Sequence, residues 1–243
     1  MRTDIADEGW TIGDRDRLLL RYDRFMALPA IRRFVAGGGR VFLATEGRPA
    51  SAIAALIGVG HRTFAEKYVQ EALRKWLPLR DLADDLVLHD FGRLQTNKVR
   101  PALALFDAIE SLDRPSLADA LARRADRVRV QRLYLQINLG RESQKGGAHL
   151  NEADALLHLC QARCPLALVG VMAIPPRLDD PLPHFRTLRA FADRHGLREC
   201  VMGMSDDFET AIRCGATAIR IGRAVFGGRV AADTVGEIDD RFR

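Results

Sequence analysis

Residues 203–227 read GMSDDFETAIRCGATAIRIGRAVFG. A small Gly-Met-Ser turn opens a helix with Asp206 and Asp207 in its first turn, and the apolar run TAIRIG then passes through Gly222 into a second short helix. Free backbone N–H groups at two helix starts, the hydroxyl of Ser205 and the guanidinium of Arg220 together make an anion cradle, which barrel enzymes often place after strands 7 and 8. The same residues also admit a purely structural reading. Ser205 would be an N-cap, the two aspartates would satisfy the helix dipole, and Gly222 would permit a turn. Local sequence leaves both open.

Working outward from this stretch, short apolar runs recur along the chain: VFLAT (41–45), RTF (62–64), LVLHDF (86–91), LFDAIE (105–110), RLYLQIN (132–138), LALVGVM (166–172), ECVMG (199–203) and TAIRIG (217–222). Amphipathic stretches separate them, among them PASAIAALIGVG, KYVQEALRKWL, SLADALARRADRV, NEADALLHLCQARC and PHFRTLRAFADRHG. Buried parallel strands read as continuous apolar runs, and eight such runs alternating with helices match a closed (β/α)8 barrel better than an open sheet. Residues 40–228 are therefore expected to form an α/β barrel of the TIM type. Residues 1–39 precede it, with Leu18, Leu19, Tyr22, Phe25 and Met26 at helical spacing before the GGG at 37–39, and should pack on the barrel as a helical segment. Residues 229–243 read as a polar tail or short helix.

The 243 residues and 47% hydrophobic content suffice for one such domain. Lys and Arg exceed Asp and Glu by 37 to 32, a modest surplus with scattered arginines, and aromatics are only 7%. Both features argue against a nucleic-acid surface. The acidic start MRTDIADEGW lacks an apolar core of signal-peptide length, and no run approaches the roughly 18 residues of a membrane span, so no membrane partner and a cytoplasmic location are expected. Cys160 and Cys164 lack the partners a zinc cluster needs; no metal is expected and the four cysteines read as buried or spare thiols.

Barrel enzymes work at the carboxyl ends of their strands. Here those ends carry Glu46, Lys67, His89, Asp113 with Arg114, Asn138, Met172, Ser205 with Asp206, and Arg220 with Gly222. The motifs GMSDDFETAI, IRIGRAVFG, GVMAIP, LQTNK, YVQEAL and RPASAI, in their order and spacing, resemble the pyridoxal 5′-phosphate homeostasis family, whose fold is similar to the amino-terminal barrel of alanine racemase. The resemblance runs from about residue 40 to 228. It implies a barrel binding pyridoxal phosphate at its carboxyl end, with Ser205, Arg220 and Gly222 holding the phosphate, the backbone of Arg223 helping, and Asn138 and Met172 lining the ring pocket.

The departures fall at one rim. Where the family has the lysine that bonds the cofactor as a Schiff base, two residues before a basic-Pro pair, this chain has Glu46 ahead of Arg48 and Pro49. A carboxylate has no nucleophilic nitrogen and cannot form that bond. On the neighbouring strand the family's asparagine is Lys67, whose side chain is longer than the roughly 4.8 Å between parallel strands. Asp90 and Phe91 replace apolar residues after His89, and Arg93 is a further change. Three readings follow: Lys67 has taken over the covalent bond; Glu46 and Lys67 form an ion pair and the cofactor or another small phosphorylated ligand binds noncovalently; or Glu46, Lys67, His89 and Asp90 serve as acid/base groups on an amino-acid-like substrate. Racemisation is disfavoured, because alanine racemase draws a second base from a separate domain and no tyrosine here is suitably placed.

Overall fold

The computed structural model describes residues 9–125, 129–130, 132–140, 142 and 145–228. The expected tail at 229–243, the first eight residues and part of the 140–148 loop lie outside them. Eight parallel strands close on themselves in sequence order: β1 Arg40–Ala44, β2 Thr63–Glu66, β3 Val87–Asp90, β4 Ala108–Leu112, β5 Arg132–Gln136, β6 Ala167–Met172, β7 Glu199–Val201 and β8 Ala218–Ile221. Closure is between β1 and β8, with Phe42 opposite Arg220.

The outer layer is α3 Ala50–Gly58, α4 Val69–Leu79, α5 Val99–Leu105, α6 Pro115–Ala122, α7 Leu150–Arg163, α8 Pro181–Arg194, α9 Phe208–Arg213 and α10 Arg223–Phe226. They follow α1 Ile12–Ala27 and α2 Pro29–Ala36. The amino-terminal helical segment expected from periodicity is formed by two helices. Leu28 adopts an extended backbone ahead of Pro29, as a residue before proline must. The start of α1 is fixed by a capping box in which Thr11 and Asp14 exchange backbone and side-chain hydrogen bonds. Its buried stripe Leu18, Tyr22, Phe25 follows helical spacing. Phe25 meets the Phe208 ring edge-on at 5.5 Å. Tyr22 OH lies 3.2 Å from Nδ1 of the buried His61, whose Nε2 is 2.8 Å from the Thr63 carbonyl oxygen.

Apolar side chains pack in two shells. One lies between strands and helices and includes Trp76, Phe106, Leu133, Phe185 and Ile219. The other fills the barrel itself with Phe42, Ala65, Ala108, Tyr134, Met172, Val201 and Ala218. Alanines beside Phe, Tyr and Met let small and large residues interlock, which makes the barrel a packed core rather than a channel. Near the amino-terminal end, Tyr134 OH donates to Glu199, which also pairs with Arg40. Cys160, Cys164 and Cys200 are buried. Among the described residues no helix is long and apolar enough to cross a membrane.

Two boundaries differ from expectation. The fourth run begins at Leu105, yet Leu105 closes α5 and β4 begins at Ala108; an apolar run at a helix end followed directly by a strand carries no mark of the junction. At the seventh strand the helix starts at Phe208, not within the Ser205–Asp207 turn. Asp207 accepts a hydrogen bond from the Met204 amide at 2.6 Å, and that local bond holds the backbone in a turn instead of a helix.

Candidate functional site at the carboxyl mouth of the barrel

After β1 the sheet continues for one residue, with the Thr45 amide donating to the Ala65 carbonyl at 2.9 Å. The chain then turns at Gly47, whose φ of 66° favours glycine. Two residues one turn apart on α4 fasten this turn from beneath. Glu71 accepts from the Gly47 amide at 2.6 Å, and Lys75 donates to the Thr45 carbonyl at 2.6 Å. Lys75 also pairs with Glu71 at 2.8 Å and Glu66 at 2.7 Å. Glu66 is fully buried and additionally accepts from Thr45 Oγ1 at 2.5 Å and Trp76 Nε1 at 2.9 Å. Burial pushes the Glu66 pKa up, and those three donors oppose it. The backbone bearing Glu46 is therefore held in place by buried charge on a neighbouring helix.

The opposite wall comes from β7, β8 and α10. Ser205 Oγ accepts from the Ala224 amide at 3.1 Å, tying the two loops together, and Arg223 pairs with Asp206. Arg48 reaches across from the β1 side to donate to the Gly227 carbonyl at 2.9 Å, with its guanidinium 5.2 Å from the Phe226 ring. Between the walls opens a cavity of about 470 Å³ lined by Ala44, Glu46, Arg48, Arg177, Gly222, Arg223 and Gly227. Its size falls in the range of small-molecule sites.

Beneath the mouth, inside the barrel, three buried side chains are joined. Arg220 donates to Glu110 at 2.9 Å, and the other carboxylate oxygen of Glu110 lies 2.8 Å from His89 Nδ1, at an angle outside that of a hydrogen bond. The guanidinium of Arg220 stacks 4.7 Å from the Phe91 ring. Burial pushes the Arg220 pKa down, while the carboxylates of Glu110 and Glu46 push it back up. The carboxylate of Glu46 thus acts on Arg220 from the mouth above.

The residues singled out from sequence are only partly brought together. Glu46, Gly222 and Arg223 line one cavity, and Ser205 adjoins it through Ala224. Arg220 faces the barrel interior, paired with Glu110. Met172 is fully buried in the barrel core. The Asn138 amide is engaged with its own loop: Nδ2 donates to the Glu142 carbonyl at 2.8 Å, and Oδ1 accepts from the Glu142 amide at 3.2 Å.

The four candidate acid/base groups do not share one rim. His89 points inward, fully buried. Asp90 follows it in the strand and points to the other face, where it accepts from Ser111 at 2.9 Å. Burial raises its pKa well above the usual carboxylate range, with the Glu110 charge adding to the rise. Lys67 is exposed, with Nζ 5.4 Å from the adjacent Tyr68 ring, and is not among the residues lining the cavity. Sequence reasoning missed Glu110, whose charge sits in an apolar run, and Arg177, which lies in a loop after β6. Arg48 was visible only as half of a motif.

This barrel, with an arginine-lined cavity at its mouth between β8 and β1, is that of the alanine racemase amino-terminal domain, whose family model matches residues 45–230. Within that class the chain belongs to the pyridoxal phosphate homeostasis proteins. It is 39% identical over 191 residues to the protein of that name from Aquifex aeolicus, covering 74% of this chain and 83% of that one. Two solved structures of PipY from Synechococcus elongatus agree. The form without pyridoxal phosphate superposes with a TM-score of 0.76 at 32% identity over 88% of this chain and 99% of that one. The form with it bound gives 0.71 at 31% identity over 88% and 100%.

Proposed function

We propose that this protein binds pyridoxal 5′-phosphate, or a close phosphate monoester, noncovalently at the carboxyl mouth of its barrel. The observation that carries the reading is the composition of one cavity. Arg48, Arg177 and Arg223 supply three guanidinium groups with Gly222 beside them, and the wall from β1 presents Glu46. Guanidinium groups suit the planar, multidentate recognition of phosphate. Family membership and the cofactor-bound PipY relative point to the same ligand.

The residues fit the phosphate and do not supply an amine. The described lining contains no lysine, and Glu46 has no nucleophilic nitrogen. When bound, pyridoxal phosphate supplies an electron sink for chemistry on amines. This chain's residues hold the phosphate, present Glu46 beside it, and keep Arg220 charged beneath through Glu110. In this reading Ser205 acts by fixing the Ala224 amide and the loop that carries Arg223, and Arg220 supports the floor of the site. The protein would serve as a carrier or regulator of the cofactor.

Titration with pyridoxal phosphate, followed by competition with inorganic phosphate, tests this. Affinity should fall about tenfold or more on losing a charged contact in Arg223→Ala, in line with about 1.4 kcal/mol per tenfold. It should be unchanged in Lys67→Ala. Loss of binding in Lys67→Ala would favour the reading in which that lysine bonds the cofactor; failure of the wild type to bind would favour an enzyme that has left the cofactor.

A further inference from the structure

The cavity's charge pattern specifies more than a phosphate. Three arginines line it, and among its described lining residues Glu46 is the carboxylate, carried on the β1 wall. β1 and β8 are paired neighbours where the barrel closes, so the strand ends from which the two walls rise lie about one strand spacing apart, roughly 4.8 Å. On a pyridoxal-type ring the phosphate-bearing arm and the one-carbon substituent that is an aldehyde or an amine sit on adjacent ring atoms. A ring whose phosphate is held on the β8 side therefore presents that substituent toward β1 and Glu46.

What Glu46 meets there decides the ligand. An aldehyde oxygen is an acceptor and a carboxylate is an acceptor, so the two gain nothing from each other. An aminomethyl group is protonated at neutral pH and donates a charge-assisted hydrogen bond to the carboxylate, among the stronger polar contacts available. The backbone that carries Glu46 is pinned: Glu71 and Lys75 bond to the residues on either side of it, and Glu66 pairs with Lys75. A side chain carried on a fixed backbone has less conformational freedom to lose on meeting its partner.

Building on the proposed phosphate site, we infer that the preferred ligand is a phosphorylated amine, pyridoxamine 5′-phosphate in place of the aldehyde, with Glu46 as the residue that selects it. This assigns the position a specificity role and not merely the loss of a covalent anchor.

Calorimetric titration of the full chain with pyridoxamine phosphate, pyridoxal phosphate, pyridoxine phosphate and inorganic phosphate tests it. The amine should bind at least about tenfold more tightly than the aldehyde or the neutral alcohol, equivalent to about 1.4 kcal/mol. In Glu46→Gln, with folding checked by circular dichroism, the ratio of amine to aldehyde affinity should fall toward unity. A wild-type ratio near one, or the same preference in Glu46→Gln, overturns the selection by Glu46 while leaving the phosphate site intact. No binding of any phosphorylated compound overturns both.

Discussion

Glu110→Gln is the sharpest structural perturbation the site offers. The substitution keeps the side chain's shape and removes its charge. Glu110 is fully buried and Arg220 4% exposed, and their hydrogen bond is 2.9 Å. Solvent therefore contributes little to stabilising whichever charge is left alone. Removing one member of a buried ion pair costs about 3–5 kcal/mol, because the partner remains buried without compensation. For a domain of this size each kcal/mol lowers Tm by about 2–4 °C, so a fall of roughly 6–20 °C is expected. Arg220→Met should cost a similar amount for the mirror-image reason. In the double variant no uncompensated charge remains, and its cost should be smaller than the sum of the singles by about 2 kcal/mol. Urea denaturation of the four proteins at neutral pH measures this cycle. Single variants within about 1 kcal/mol of wild type, or costs that simply add, would refute the claim that the pair is a buried, mutually dependent unit.

Three other perturbations follow from the geometry. His61 is buried and its pKa is pushed down from 6.5 to about 4. The unfolded chain binds that proton at higher pH than the folded one, so stability is complete above about pH 6.5 and falls as pH drops toward 4, by about 3 kcal/mol; stability measured across this range should lose that slope in His61→Gln. A Cβ at Gly92 would lie 1.7 Å from the Lys67 carbonyl oxygen, and backbone cannot rotate away, so Gly92→Ala should lower stability by about 3 kcal/mol or more in urea denaturation. Lys75→Met leaves Glu66 and Glu71 without their shared cation and should cost about 3–5 kcal/mol, with faster hydrogen exchange at the Gly47 amide if that residue holds the turn.

The barrel was legible because its strands are buried on both faces and so read as uninterrupted apolar runs, each broken by a helix with a polar face. The stretch that forms α5 was not singled out: VRPALAL is short, contains Pro101, and shows too few turns for a periodic signal. The split between α1 and α2 was marked by Pro29, but a strong apolar period on both sides concealed it. At the mouth, single positions were readable where a motif fixed them, as with Glu46, Gly222 and Arg223. Their partners were not. Glu110 reaches Arg220 across 110 residues of sequence, and only the closure of the barrel makes those positions neighbours. Asp90 and His89 look equivalent in LVLHDF, yet strand alternation sends one outward to Ser111 and the other inward to Glu110.

The proposed noncovalent grip on the cofactor is read out by reductive trapping. The protein is equilibrated with stoichiometric pyridoxal phosphate, dialysed to show retention, reduced with borohydride and weighed under denaturing conditions. Retention with an unshifted polypeptide mass is the expected result. A stoichiometric mass increase, mapped to Lys67 or any other lysine, would contradict it.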